Sequence, residues 1–114
     1  MNYSIITTKD FESNFKRLFK KYRSLVRDYE ILIDNLLQNP SLGDLICSNV
    51  RKVRMTIASK NRGKSGGARV ITCNVLVNVL KTDIYLLTIY VKGEKDSISE
   101  KEIELLKLRN GLPI

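Results

Sequence analysis

The sequence of 114 residues contains no histidine and no tryptophan, and it has only two cysteines. Histidine is the most frequent general base and the most frequent metal ligand in proteins. Its absence excludes a Ser-His-Asp triad, a Cys-His pair and every zinc site that needs histidine. Neither a metal nor an organic cofactor is expected, and chemistry is left to lysine, arginine, tyrosine and the carboxylates.

Sequence features of export and membrane insertion are also missing. Cys47 and Cys73 form no C-x-x-C pair, and we interpret them as small buried hydrophobic residues. The first ten residues lack the apolar segment of a signal peptide. No apolar run approaches the roughly 20 residues of a membrane span. The sequence therefore predicts a reduced, cytoplasmic protein with no membrane partner.

Acidic residues are absent from the middle of the chain. Residues 50–81 carry eight lysine and arginine residues and no acid, and the charges elsewhere cancel, so this segment accounts for the net charge of +8. Because surfaces usually mix both signs, we predict a phosphate-binding face, the alternative being a ribbon that only aids solubility. The cations are Arg51, Lys52, Arg54, Lys60, Arg62, Lys64, Arg69 and Lys81.

Apolar periodicity predicts two helices near the start and one near the end. A short strand over 2–7 precedes a helix capped by Thr8, and a second helix capped by Ser24 ends at Asn39-Pro40. Ser97 and Ser99 each begin an S-x-x-E pattern, which is typical of a helix start. The first two helices lie close together in the chain and are predicted to form a helical hairpin.

Three later segments have strand patterns. They cover residues 50–57, 68–80 and 84–91, and short polar loops join them as in an antiparallel meander. The last is apolar on both faces and is predicted to be central. We predict a turn at 81–83 and, over 41–49, a loop with a buried patch of Leu42, Leu45 and Ile46. The prediction is one α+β domain over 1–114, ordered β-α-α-β-β-β-α, with helices packed on an antiparallel sheet.

Cations and a phenol are expected to meet at one rim of that sheet. Lys52 and Arg54 point the same way from one strand, and Arg69 begins the next strand as an exposed charge. Antiparallel pairing brings Tyr90, at the end of the last strand, back to Arg69. Since RNA carries its own nucleophile, the 2′-hydroxyl, such a cluster can cleave it by orienting it and stabilising the phosphorane. RNA binding without turnover is the alternative.

Several segments resemble the RelE/ParE toxins of bacterial type II toxin–antitoxin systems, and within them the HigB-like branch. They are V-R-K-V-R at 50–54, G-K-S-G-G-A-R-V-I at 63–71, which is the most specific, and Y-L-L-T-I-Y-V-K at 85–92. The resemblance covers essentially the whole chain. It implies a ribosome-dependent mRNA endoribonuclease that works through the substrate 2′-hydroxyl. It also implies a cognate antitoxin, expected to be a helix-turn-helix protein, that holds the toxin inactive.

The resemblance also implies roles for individual residues. Lys52, Arg54 and Arg69 would contact the phosphate and the transition state, and Tyr90 would be the functional phenol of a catalytic set of four. Lys64 would contact RNA from the glycine loop, and Lys92 would lie at the rim. The basic segment adds Arg51, Lys60 and Arg62 as RNA-binding candidates.

Two other functions remain open at this point. ParE relatives share the fold but inhibit DNA gyrase, and a fold by itself does not separate the two activities. Met55 and Thr72 stand where relatives often carry an aromatic residue. These departures leave an inactive relative that only binds RNA as the third alternative.

Overall fold

The computed structural model describes residues 2–60 and 67–113. Within them, three α-helices pack on a mixed sheet of five strands. The elements are β1 (Asn2–Thr7), α1 (Lys9–Lys21), α2 (Leu25–Gln38), β2 (Asp44–Cys47), β3 (Val50–Met55), β4 (Ala68–Asn78), β5 (Lys81–Val91) and α3 (Glu100–Arg109), with a 3-10 turn at Ala58–Lys60.

The sheet has the strand order β1-β5-β4-β3-β2. β3 pairs antiparallel with β4, and β4 with β5, which confirms the predicted meander, and β2 adds to it antiparallel to β3. Strand β1 pairs in parallel with β5, so the expectation of a purely antiparallel sheet is wrong. The direction of β1 depends on how the helical hairpin returns the chain to the sheet. Local periodicity does not predict that direction. β5 lies between β1 and β4, as its two apolar faces predicted.

Two connections differ from the sequence prediction. Residues 44–47, predicted as loop, form the edge strand β2, and Leu45 in the predicted buried patch is 62% exposed. Four residues are too few for alternation to be visible. The predicted turn at 81–83 lies inside β5, and the chain turns at Val79 and Leu80 instead. The side chains of Val79 and Leu80 are exposed at this turn. Because both residues are apolar, the sequence pattern predicted them as part of the strand.

The helices cover both faces of the sheet. α1 and α2 pack on one face, where Phe11, Leu18 and Leu36 meet Val53 and Val70. α3 packs on the other face through Ile103 and Leu106, which join Val50, Ile71 and Leu87. Each such side chain contributes roughly 1.5–3 kcal/mol when fully buried. In the part of the chain that the structure describes, no helix is long and apolar enough to cross a membrane.

The helix starts show which capping signals the fold uses. The Thr8 hydroxyl accepts from the Phe11 N–H at 3.0 Å, so the predicted cap of α1 is confirmed. Ser99 caps α3 in a reciprocal pair with Glu102, whereas the Ser97 pattern is not used. Ser24 precedes α2 but makes no side-chain capping bond, so the predicted cap at Ser24 is wrong. Its hydroxyl instead donates to Asp28, whose carboxylate also accepts from the Ala58 N–H, and this ties the 3-10 turn to α2.

Candidate nucleic-acid interface

Three predicted site residues form one row across the sheet. Arg54 on β3 lies opposite Arg69 on β4, and Arg69 lies opposite Tyr90 on β5. Directly opposed residues have Cβ atoms about 4.5–5.5 Å apart, so the three side chains are neighbours on the face that carries α3. Lys52 shares that face one row away, opposite Ile71. Of the three cations predicted to meet the phenol, Arg54 and Arg69 form the Arg54–Arg69–Tyr90 row, and Lys52 lies outside it.

Arg69 is buried within this row. The residue is only 7% exposed, so the expectation that Arg69 is an exposed charge is wrong. Its hydrogen bond goes to the neighbouring Ala68 carbonyl at 3.4 Å, and within residues 2–60 and 67–113 no acid lies within 4.0 Å of it. The position of Arg69 at the start of a strand did not reveal this burial. A buried cation without an acid is costly, so the position favours an anionic ligand.

The Tyr90 hydroxyl is the second unusual group of the row. It is buried, and no described residue forms a hydrogen bond with it. Burial raises the pKa of the Tyr90 phenol, while the charge of Arg69 opposes this and Glu102 adds to it. The phenol is therefore protonated at neutral pH and can act as a proton donor. An unsatisfied buried hydroxyl costs stability, and such groups are frequent at functional sites.

Two further charged residues flank Tyr90, and neither was predicted as a site residue. The Lys95 ammonium lies 6.0 Å from the centre of the Tyr90 ring and forms an ion pair with Glu102. The hydrogen bond from Lys95 lowers the pKa of Glu102, so this carboxylate stays charged. Glu102 was visible in the sequence only as the second half of a capping pattern. Nothing in the local pattern showed that it also lies beside the phenol.

The other predicted RNA contacts are dispersed. Arg51 lies on the opposite face of β3 from Lys52 and Arg54, because successive side chains of a strand alternate. The Lys60 ammonium lies 5.8 Å from the centre of the Tyr22 ring, at the helical hairpin. Lys92 is exposed directly after β5, close to Tyr90 in the chain. Arg62 and Lys64, with most of the glycine loop, lie outside the described residues.

A cavity of about 560 Å³ borders the row at Tyr90. It lies between α1, the end of β5 and α3, and its walls do not include Lys52, Arg54 or Arg69. The cationic row and the cavity are thus two separate features that share Tyr90. No group of three or more Cys, Asp and Glu side chains placed to hold a metal ion occurs in the described ranges.

No protein-family model matches the chain. The likeness to RelE/ParE toxins therefore stays a prediction from the motifs. Among the described residues, the geometry provides a buried guanidinium with no acid within 4.0 Å, beside a protonated phenol with no hydrogen-bond partner.

Proposed function

We propose that this protein is the toxin of a type II toxin–antitoxin system and cleaves mRNA on the ribosome. The observation that carries the proposal is the Arg54–Arg69–Tyr90 row, in which the buried guanidinium has no described acid and the phenol has no described hydrogen-bond partner. A phosphodiester supplies what both groups lack, namely anionic oxygens that accept hydrogen bonds. The protein would act in the cytoplasm, where ribosomes translate.

In the proposed reaction the substrate provides the nucleophile. The RNA 2′-hydroxyl oxygen bonds to the adjacent phosphorus, its proton passes to solvent, and the bond to the 5′-oxygen breaks. The products are a 2′,3′-cyclic phosphate and a 5′-hydroxyl, and Tyr90 donates the proton that the leaving oxygen needs. Arg69 and Arg54 stabilise the charge of the phosphorane, with Lys52 one row behind. One such contact typically contributes about 10²–10³ in rate.

The net charge of +8 supports two negatively charged partners, an RNA target and a protein inhibitor. Polyanionic mRNA and ribosomal RNA gain from the cationic face because binding releases counterions. A cognate antitoxin with acidic side chains would associate quickly with the same face. We expect the antitoxin to be a small helix-turn-helix protein that blocks the row or its access to the ribosome.

The test is to induce the chain in a bacterial host and map the 5′ ends of ribosome-bound messages. We expect growth arrest and new 5′ ends within the codon in the decoding site, which Arg69→Met abolishes. Lys81→Ala is the control, since Lys81 is a cation at the end of β5 opposite to Tyr90. Arrest with intact messages and poisoned gyrase would instead support the ParE-like alternative. Normal growth with soluble protein would support the inactive relative.

A further inference from the structure

The hairpin formed by β4 and β5 ends in an exposed apolar tip, residues 76–80. Four of its five residues are large and apolar, and each of the four is 52–83% exposed. They are Leu76, Val77, Val79 and Leu80. Single exposed apolar residues are ordinary on protein surfaces, whereas a contiguous apolar patch indicates an interaction site.

The tip is exposed because α2 and α3 both end before it. After α2, the Pro40 carbonyl accepts from the side-chain amide of Asn74 on β4 at 2.9 Å. On the other face of the sheet, Lys107 near the end of α3 donates to the Asn49 side chain at 3.4 Å. The Asn49 amide in turn donates to the Asn74 carbonyl at 2.9 Å. The ends of both helices are thus tied to the level of Asn74, and the tip extends beyond them.

The tip is also free of charge. Residues 70–80 contain no acid and no base, and the next charged residue, Lys81, forms an ion pair with Asp83 at 3.9 Å. Arg69 lies nine positions before Asn78 on β4, which is about 30 Å at the rise of a strand. The Debye length at physiological salt is about 8 Å, so the tip is well separated from the charge of Arg69.

We propose that the tip is an interaction surface for a second copy of this chain. Related by a two-fold axis, the tips of two copies place uncharged apolar side chains against each other, as a self-complementary contact requires. Each copy has a net charge of +8, so two copies repel each other. Contact through the tips keeps this repulsion small, because it places the two Arg54–Arg69–Tyr90 rows at the outer ends of the dimer.

The charge distribution makes other partners less suitable for the tip. RNA and an acidic protein are attracted to the cationic row at the far end of the hairpin. An anionic membrane is attracted to the same end. The tip itself offers apolar surface alone, and an equally uncharged apolar tip is present on every other copy of the chain.

The size of the tip sets the strength of this contact. A standard interface takes about 800 Å² and about 20–30 residues from each partner. The five residues of the tip supply less, so the dimer is weak and forms only at high protein concentration. Both rows remain open in it, and the proposal is independent of the proposed function.

The test is analytical ultracentrifugation of the purified chain over a series of concentrations up to about 1 mM, at low and at high KCl. We expect a reversible equilibrium between monomer and dimer that becomes stronger with salt. Salt screens the repulsion between two cationic copies and leaves the apolar contact in place. Association through opposite charges would instead become weaker with salt.

Val79→Lys tests the location of the contact. It places a cation at the most exposed apolar position of the tip, where two copies bring like charges together, and should weaken association more than about tenfold. Leu108→Lys is the matched control, since it adds the same charge at an exposed apolar position of α3 outside the tip. This variant should associate like wild type at high salt.

A monomer at every concentration and salt would overturn the proposal, and so would equal weakening by both variants. Amide resonances of the wild-type chain decide the location even if Val79→Lys fails to fold, because shifts that grow with protein concentration should centre on residues 76–80. Shifts centred elsewhere would contradict the proposal. A monomer that sediments with phosphatidylcholine vesicles, unless Val79 is replaced, would assign the tip to a membrane instead. None of these results depends on whether the chain cleaves message.

Discussion

Arg69 is buried with no described acid within 4.0 Å, and the neighbouring Tyr90 hydroxyl is buried with no described hydrogen-bond partner. Thr8 and Asp28 are equally buried, but each accepts or donates hydrogen bonds that explain its burial. A buried guanidinium with no described acid and a buried phenol with no described partner both cost stability, and under the proposed function a bound phosphodiester would offset that cost. Variants at these two residues should therefore separate stability from activity.

Arg69→Met tests the cation. Removing a buried charge that no described acid compensates should leave the free energy of unfolding within about 1 kcal/mol of wild type, or raise it. Cleavage of message on purified ribosomes should fall about 10²–10³-fold, because one transition-state contact is lost. Thermal unfolding checks the fold. Cleavage at the wild-type rate would remove Arg69 from the active site.

Tyr90→Phe tests the phenol. The hydroxyl has no described partner, so its removal should cost no stability, whereas cleavage should fall about 10²–10⁴-fold if it donates a proton. Tyr85→Phe on the same strand is the control and should cleave normally.

The raised pKa of Tyr90 adds a pH signature to this variant. Because the unfolded phenol ionises near 10.0 and the folded phenol above that value, its stabilisation is complete below pH 10.0 and is lost as the pH rises further. Unfolding of Tyr90→Phe should therefore depend less steeply on pH above 10.0 than unfolding of wild type. Equal slopes would mean that the Tyr90 phenol ionises alike in both states.

Strand β5 and helix α3 together build the site. β5 contributes Tyr90 to the row, and both Ile89 and Tyr90 to the cavity wall. The cavity can border this part of β5 because β1 pairs only with Lys81–Leu86. α3 begins at the capping pair Ser99 and Glu102, and the same Glu102 pairs with Lys95 beside the phenol. The start of α3 is thus fixed by a local signal, and its place over the sheet by Ile103 and Leu106.

Ser99→Ala tests the start of α3. Loss of the cap should lower the free energy of unfolding by about 0.5–2 kcal/mol in urea titrations. Ser97→Ala removes the neighbouring serine whose S-x-x-E pattern the fold does not use, and it should change stability by less than about 0.5 kcal/mol. Equal losses in both variants would show that the cap does not stabilise the helix.

The charge of the molecule is concentrated by the fold as well as by the sequence. Arg54, Arg69 and Lys92 lie toward the same end of the sheet, where β3 and β5 end and β4 begins. Arg51 and Lys60 belong to the face of the helical hairpin instead. Only part of the acid-free segment can therefore meet one RNA strand.

Binding of single-stranded RNA should weaken steeply with salt. The slope of log affinity against log salt is about −0.7 per contacted phosphate, so Arg54→Ala should make it shallower by about 0.7. Lys81→Ala, at the opposite end of β5, should leave the slope unchanged. Filter binding over a series of KCl concentrations measures this. A flat response of the wild-type protein would show that the row is not the binding face.

The sequence by itself determined the helices, the meander, the cap at Thr8, and the proximity of Arg69 to Tyr90 and to the cations of β3. These follow from local periodicity and from short connections, since strands joined by short loops pair with their sequence neighbours. The sequence left open whether Ser97 or Ser99 caps α3 and whether Arg54 or Lys52 lies opposite Arg69, and the fold selects Ser99 and Arg54. The short strand β2 and the turn at Val79 and Leu80 escaped because their local signals were too brief or resembled a strand.

Only the tertiary structure decided the parallel pairing of β1, the burial of Arg69, the isolation of the Tyr90 hydroxyl and the cavity beside Ile89. Each depends on segments far apart in the chain. β1 must pair with β5, and α1 and α3 must lie beside the end of β5 that β1 does not reach. Periodicity reports which face of an element is apolar, but whether a polar group on it finds a partner depends on what packs across from it.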